Sequence, residues 1–179
     1  GLLHNTFRLK VLNRTDMSHC QLLDPFCPIL ARCLRLSKEN RVTVLALRCL
    51  CAILSWEELP SLPASIPTII DQTFRLLRIA SNGSKGKEVQ HVGFQVVTHI
   101  MHTQKGYKFN DTRFRALIGL VRANMEDMHS QSSSFALIKA LLSRRVLVPE
   151  LYDLMQHCSS LLVTSHRAGI QKLCGQVFL

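Results

Sequence analysis

Glycine and proline are scarce in this sequence, with eight and six residues among 179. A chain of β-strands needs many tight turns, which these two residues commonly form, so an all-β fold is excluded. No apolar run reaches about 18 residues, the length that a membrane-spanning helix needs. Residue 1 is not followed by the compact apolar run and small-residue cleavage site of a secretory signal. We therefore predict no contact with a membrane.

Motifs for catalysis and for metal binding are missing as well. The sequence contains neither G-x-S-x-G nor H-E-x-x-H. His91, His99 and His102 have no acidic residue or cysteine at a matching ligand position. The segment 82–88 contains Gly and Lys but lacks the spacing of a phosphate-binding loop, and Glu88 stands where Ser or Thr is needed for magnesium. We predict that the chain is not an enzyme and has no catalytic residue, metal site, cofactor or small-molecule substrate.

Hydrophobic residues, by contrast, make up 47% of the sequence, which is ample for a packed core. The seven cysteines are odd in number and irregularly spaced, so we interpret them as small buried apolar residues in a reducing compartment. The formal charge is +10, which permits binding to a phosphate backbone. The basic residues are spread along the chain, so a solvated basic surface is the alternative interpretation.

Apolar residues recur with helical spacing along almost the whole chain. Asp24 is the predicted N-cap of a helix whose first residue is Pro25, and Pro67 and Pro149 each open another helix. The predicted helices span about 3–13, 25–36, 41–56, 67–80, 88–102, 112–125, 132–143 and 149–163, and one more begins near 166.

Eight predicted helices begin at or after residue 25. Every second one of them starts near residue 25, 67, 112 or 149. The interval of roughly 37 to 45 residues matches the period of HEAT and armadillo repeats. We predict an all-α fold, namely a HEAT/armadillo-type α-solenoid of stacked antiparallel helix pairs. Residues 1–179 are expected to form a single solenoid segment, about four helix pairs plus a leading helix, of a longer chain. An ordinary helical bundle is the alternative.

Basic residues lie in the predicted turns on both edges of such a solenoid. Turns between successive pairs carry Lys105, Lys108, Arg144 and Arg145, and turns inside pairs carry Lys38, Lys85, Lys87 and Arg167. A phosphate backbone or an acidic protein segment fits a row of cations. The alternative is that turns are exposed and lysine favours exposed places. We expect no aromatic residues to interleave with the cations, so base stacking is not predicted. The candidate RNA or protein contacts are Lys85, Lys87, Lys105, Lys108, Arg144 and Arg145.

Several segments resemble a known family. They are Leu23–Leu30 (LDPFCPIL), Val44–Leu50 (VLALRCL), Leu59–Leu62 (LPSL), Ser134–Arg145 (SFALIKALLSRR), Val148–Leu151 (VPEL) and Gln176–Leu179 (QVFL). In these segments the chain resembles an internal part of the proteins of one family, the large HEAT-repeat components of the small-subunit processome. The family is called component 20 or down-regulated in metastasis. The stretch Phe135–Arg144 (FALIKALLSR) is the most specific, because generic HEAT repeats do not share it.

The resemblance implies a nucleolar scaffold that supports pre-rRNA processing and assembly of the small ribosomal subunit. The implied partners are processome proteins and the phosphate backbone of pre-rRNA or small nucleolar RNA. It implies no active site. A protein-only HEAT scaffold, such as a transport receptor or a kinase-associated array, is the alternative. Importin-type arrays usually have acidic inner surfaces, whereas this chain is basic.

Overall fold

Helices and turns, without any β-strand, make up the residues that the computed structural model describes, namely 1–56, 59–81 and 86–179. The predicted all-α fold is confirmed. None of the helices in these three ranges has the length and apolar character that crossing a membrane requires. The chain divides into Gly1–Lys105, called unit 1, and Gly106–Leu179, called unit 2. The single segment over 1–179 stays a prediction.

Unit 1 contains two helix pairs preceded by two short helices. The helices are α1 (Leu2–Arg8), α2 (Met17–Leu23), α3 (Phe26–Leu36), α4 (Asn40–Ile53), α5 (Leu62–Ala80) and α6 (Lys87–Thr103). Helix α3 packs on α4, and α5 packs on α6. The first helices of the two pairs also contact each other, as do the second helices, and α1 lies against α4. This is the packing of stacked HEAT or armadillo pairs.

Unit 2 repeats the same arrangement with its own two pairs. The helices are α7 (Asp111–Asn124), α8 (Gln131–Ser143), α9 (Pro149–Thr164) and α10 (Ala168–Gly175). Helix α7 packs on α8, and α9 packs on α10. The first helices, α7 and α9, contact each other, and so do the second helices, α8 and α10.

Burial in unit 1 is least in α3 and similar in the other three helices of the two pairs. Four residues of α3 are buried, against seven of α4, nine of α5 and nine of α6. Gly93 lets α6 approach α5 closely, since a Cβ atom there would lie 2.8 Å from Leu77 Cδ2. Full burial of a leucine such as Leu47 or Leu50 contributes about 1.5–3 kcal/mol.

Polar contacts between neighbouring pairs join residues about one repeat length apart. In unit 1, Arg75 Nη2 donates to the Leu34 carbonyl at 2.8 Å across 41 residues. In unit 2, Arg167 Nη1 donates to the Glu126 carbonyl at 2.9 Å, again across 41 residues. A constant separation is what stacked repeats produce, whereas an ordinary bundle has no reason to keep it. Each unit is therefore built as a helical-repeat segment.

The N-terminal region differs from the predicted helix over 3–13. Helix α1 ends at Arg8, because Lys10 adopts a left-handed backbone conformation with φ of 52°. The Lys10 amide donates to the Phe7 carbonyl at 3.1 Å, and the Val11 amide donates to the Thr6 carbonyl at 3.4 Å. This is a Schellman C-cap with lysine at the position that glycine usually occupies. Because no glycine stands there, the end of α1 could not be predicted from its residue types.

One further helix was missed, and the start of another was predicted wrongly. Helix α2 was missed, although Asp16 is its N-cap and accepts a hydrogen bond from the Ser18 amide at 2.9 Å. Helix α5 begins at Leu62 and not at Pro67, which lies inside it. Pro63 sits in the first turn, where its missing N–H costs nothing, while Pro67 forgoes one hydrogen bond within the helix.

Asp24 has a different role from the predicted one. Pro25 occupies the N-cap position of α3, which starts at Phe26. The Asp24 carboxylate oxygen Oδ1 instead accepts hydrogen bonds from the Ser61 amide and the Ser61 hydroxyl, each at 2.8 Å. Because Ser61 is the N-cap of α5, Asp24 fastens the start of the first pair to the start of the second.

Candidate nucleic-acid interface

Two turns of unit 2 that sequence reasoning placed on one edge do lie side by side. One turn precedes α7 and the other follows α8. Arg144 Nη1 donates to the Tyr107 carbonyl at 3.3 Å, and its guanidinium carbon lies 5.9 Å from the centre of the Phe109 ring. Lys108 is exposed between the two aromatic residues, and Arg145 is exposed next to Arg144. We call the group Tyr107, Lys108, Phe109, Arg144 and Arg145 the junction edge.

Sequence reasoning missed the aromatic residues of the junction edge. The Tyr107 and Phe109 rings meet edge to face, with centres 5.0 Å apart and planes at 80°. Arg113 Nη1 donates to the Tyr107 hydroxyl at 2.8 Å. Both rings keep partial solvent exposure. The cations and aromatic rings therefore do interleave, contrary to the expectation from sequence; the pattern Y-K-F before a helix was the available signal.

Arg144 acts mainly as an anchor within this edge. Its side chain is half-buried, and burial lowers the pKa of its guanidinium. An arginine remains protonated at neutral pH even so. The contacts with Tyr107 and Phe109 hold the two turns together. Arg144 therefore contributes positive potential and order, while the exposed charges are those of Lys108 and Arg145.

Arg145 has an unusual backbone for its residue type. Its φ is 52°, in the left-handed region that favours glycine. It follows the C-cap of α8, and its amide donates to the Leu142 carbonyl at 3.0 Å. A cation therefore occupies a position where glycine would be the less strained residue.

The other predicted contacts are not residues of unit 2. Lys105 is exposed after the end of α6, as the last residue of unit 1. Lys87 is exposed as the first residue of α6. A 17-residue helix is about 25 Å long, so Lys87 and Lys105 lie far apart at its two ends. Lys85 lies outside the described residues.

The opposite edge of unit 2 is held by Arg167. Besides its bond to the Glu126 carbonyl, Arg167 donates from Nη2 to Gln131 Oε1 at 3.1 Å. Its guanidinium thus bridges the turns within the two pairs. Arg167 is exposed but engaged, so it is a poorer candidate for an external phosphate than Lys108 or Arg145.

Chemistry-bearing groups elsewhere are dispersed or buried. Among the described residues, no three His, Cys, Asp or Glu side chains are grouped so that they could hold a metal ion. Burial raises the pKa of the Cys51 thiol to about 12, which keeps it protonated and unreactive. An open cleft of about 620 Å³ beside α4 contains the Arg48–Glu88 ion pair at 2.8 Å, and none of its described lining residues is Ser, Thr or Cys.

The fold of the described residues is that of a helical-repeat protein. Antiparallel helix pairs that stack repeat on repeat, with cations on their turns, are typical of a helical-repeat binding scaffold. No protein-family model matches the chain.

Two curated proteins are similar to nearly the whole chain. Both are described as U3 small nucleolar RNA-associated protein 20. The protein from Schizosaccharomyces pombe is 23% identical over 186 aligned positions, covering 96% of this chain. The protein from Saccharomyces cerevisiae is 24% identical over 157 positions, covering 87% of this chain. The chain is thus a distant homologue of a segment of U3 small nucleolar RNA-associated protein 20, and it spans only 7% and 6% of the two relatives.

Proposed function

We propose that the chain is a non-catalytic HEAT-repeat segment of a small-subunit processome scaffold in the nucleolus. In that role it supports pre-rRNA processing and assembly of the small ribosomal subunit. The observation that carries the proposal is the similarity of almost the entire chain to segments of two proteins associated with U3 small nucleolar RNA. The partners are processome proteins and the phosphate backbone of pre-rRNA or small nucleolar RNA.

The junction edge is the proposed RNA contact of unit 2, and Lys105 is a separate proposed contact at the end of unit 1. Lys105, Lys108 and Arg145 are exposed cations outside the helices. Arg144 keeps its charge within the junction edge while it fixes the turn that carries Lys108. Because the backbone of the turns is held by hydrogen bonds, little ordering is needed when a phosphate binds, and the entropic cost of binding is small. Tyr107 and Phe109 add ring surface against which an unpaired base stacks.

Salt dependence gives the proposal a measurable form. Each phosphate that a cation neutralises on a single strand adds about 0.7 to the slope of log affinity against log salt concentration. Loss of three contacts would therefore flatten the slope by about 2. A surface that is merely basic and solvated shows no such dependence on three particular residues.

The experiment measures the affinity of three chains for a labelled single-stranded fragment of pre-rRNA at salt concentrations from about 50 to about 300 mM. One chain is unchanged, one is the triple variant Lys105→Ala, Lys108→Ala and Arg145→Ala, and one is the control Arg122→Ala, Lys139→Ala and Lys172→Ala. The control removes the same charge from exposed positions elsewhere. We expect the flattened slope only in the first variant. Equal slopes in the two variants would show that the edge makes no specific contact.

A further inference from the structure

The first-helix layer of unit 1 has a strong charge imbalance that unit 2 lacks. Helices α3 and α5 together contain four arginines against one aspartate. The equivalent helices α7 and α9 contain three arginines against three acidic residues. One of those arginines, Arg115, forms an ion pair with Glu150 at 3.3 Å. The imbalance is thus specific to α3 and α5 and is not a general property of this layer.

The packing register brings these arginines to one end of the two helices. Helices α3 and α5 run side by side in the same direction, since Asp24 contacts Ser61 at their starts and Leu34 contacts Arg75 further along. Arg75 Nη2 lies 2.8 Å from the Leu34 carbonyl and 3.4 Å from the Arg35 carbonyl. Arg75 therefore caps α3 and places its charge beside Arg35. Arg78 follows one turn later along α5.

Exposed aliphatic side chains lie among these charges. Leu36 is 61% exposed and Ile79 is 60% exposed, at the ends of α3 and α5 respectively. Leu36 follows Arg35, and Ile79 follows Arg78, so each aliphatic residue is adjacent to an exposed arginine. We call the exposed residues Arg32, Arg35, Leu36, Arg78 and Ile79 the α3–α5 face.

The chemistry of the α3–α5 face distinguishes between two kinds of ligand. A phosphate backbone would neutralise the arginines but leave Leu36 and Ile79 against a hydrated, charged surface. A protein segment with carboxylates and aliphatic side chains satisfies both, because arginine binds carboxylates with two parallel hydrogen bonds and the aliphatic residues gain by losing water. The face contains no aromatic residue on which a base would stack.

We propose that the α3–α5 face binds an acidic, amphipathic segment of a partner protein. Carboxylates of the segment bind Arg32, Arg35 and Arg78, and its aliphatic side chains cover Leu36 and Ile79. Arg75 remains hydrogen-bonded to the end of α3 and so fixes the position of α5, which carries Arg78, relative to α3. The proposal concerns a different face and a different class of partner from the junction edge, so either can fail without the other.

The test uses the whole 179-residue chain and a fluorescent synthetic peptide of Glu and Leu arranged with helical spacing. A second peptide has Ser in place of every Leu, and an oligouridine strand serves as the RNA probe. We expect the Glu–Leu peptide to bind at least tenfold more tightly than the Glu–Ser peptide. The variant Arg35→Ser with Arg78→Ser, and the variant Leu36→Ser with Ile79→Ser, should each weaken peptide binding about tenfold.

The matched control is Arg115→Ser with Arg122→Ser, which removes the same charge from the equivalent layer of unit 2 and should change peptide affinity by less than about twofold. Circular dichroism checks that each variant is folded, and all the substituted side chains in the α3–α5 face are exposed. Three outcomes overturn the proposal: equal affinity for both peptides, equal loss in the control, or no binding of the Glu–Leu peptide. Loss of oligouridine binding alone in the Arg35 and Arg78 variant would assign the face to RNA instead.

Discussion

Removal of the Asp24 carboxylate tests the stacking of one helix pair on the next in unit 1. Asp24 lies before α3 and accepts two hydrogen bonds from Ser61, the N-cap residue of α5, across 37 residues. Both residues are half-buried. In Asp24→Ala, the Ser61 amide loses its acceptor at the interface between the pairs, whereas the Ser61 hydroxyl keeps the Asp24 backbone carbonyl, 2.8 Å away. The variant therefore weakens the inter-pair contact without removing any apolar core side chain.

The size of the effect follows from the kind of bond. A hydrogen bond to a charged group is worth about 1.5–3 kcal/mol, and the loss is mainly that of one such bond, because the Ser61 hydroxyl retains the Asp24 carbonyl as an acceptor. We expect Asp24→Ala to lower the free energy of unfolding by about 2 kcal/mol. Asp24→Asn keeps an acceptor oxygen but loses the charge, so its loss should be about 1 kcal/mol.

Urea unfolding followed by Trp56 fluorescence measures this loss. Trp56 is buried in unit 1 and is the single tryptophan of the chain, so the signal reports on unit 1. With an m-value of about 2 kcal/mol/M, the midpoint of Asp24→Ala should fall by about 1 M. The control Asp16→Ala removes the local N-cap of α2 and should show no coupling to Ser61→Ala.

A double-mutant cycle gives the decisive result for this contact. The double variant of Asp24→Ala with Ser61→Ala should be less destabilised than the sum of the single variants by at least about 0.5 kcal/mol. Strict additivity, together with a loss below about 0.5 kcal/mol for Asp24→Ala, would refute the inferred fastening of one pair to the next.

Two further predictions concern backbone strain and thiol ionisation. Arg145→Gly should raise the free energy of unfolding by about 0.5–1 kcal/mol, because glycine tolerates the φ of 52°. The same variant should weaken RNA binding, whereas Arg145→Ala should weaken RNA binding without stabilising the fold. Thermal unfolding measures the first effect, and RNA titration measures the second. The Cys51 pKa of about 12 predicts that iodoacetamide labels Cys51 at pH 8.5 only after unfolding. Because the thiol ionises near pH 9 in the unfolded chain but stays protonated in the folded one, the free energy of unfolding should fall as the pH rises from 9 towards 12. Rapid native labelling of Cys51, identified by mass spectrometry, would contradict the second prediction.

Long helices with regular apolar spacing were predictable to within a few residues. The predicted spans 41–56, 88–102 and 132–143 correspond to α4, α6 and α8. Their apolar residues face both a pair partner and a neighbouring helix, so the pattern is strong. The wrong limits arose where local backbone geometry overrides pattern. Lys10 ends α1 in a left-handed backbone conformation that glycine usually adopts, and Pro67 lies inside α5 without ending it.

The candidate site was only partly predictable. Placing Lys108, Arg144 and Arg145 on turns of one edge required nothing beyond the repeat period, and the structure places those turns together. The contact of Arg144 with Phe109 was not predictable, because it depends on how the turn before α7 folds against the turn after α8. The charge imbalance of α3 and α5 was visible in the sequence, yet its arrangement at one end needed the Arg75–Leu34 contact.

UV crosslinking of the full-length protein to RNA within purified nucleolar pre-ribosomal particles tests the proposed function most directly. Crosslinked peptides are identified by mass spectrometry, and the attached RNA is sequenced. We predict adducts of pre-rRNA or small nucleolar RNA on the turns that contain Tyr107, Lys108 and Arg145. Particles that contain the protein but yield adducts only outside 104–110 and 144–148 would contradict the assignment of the junction edge to RNA.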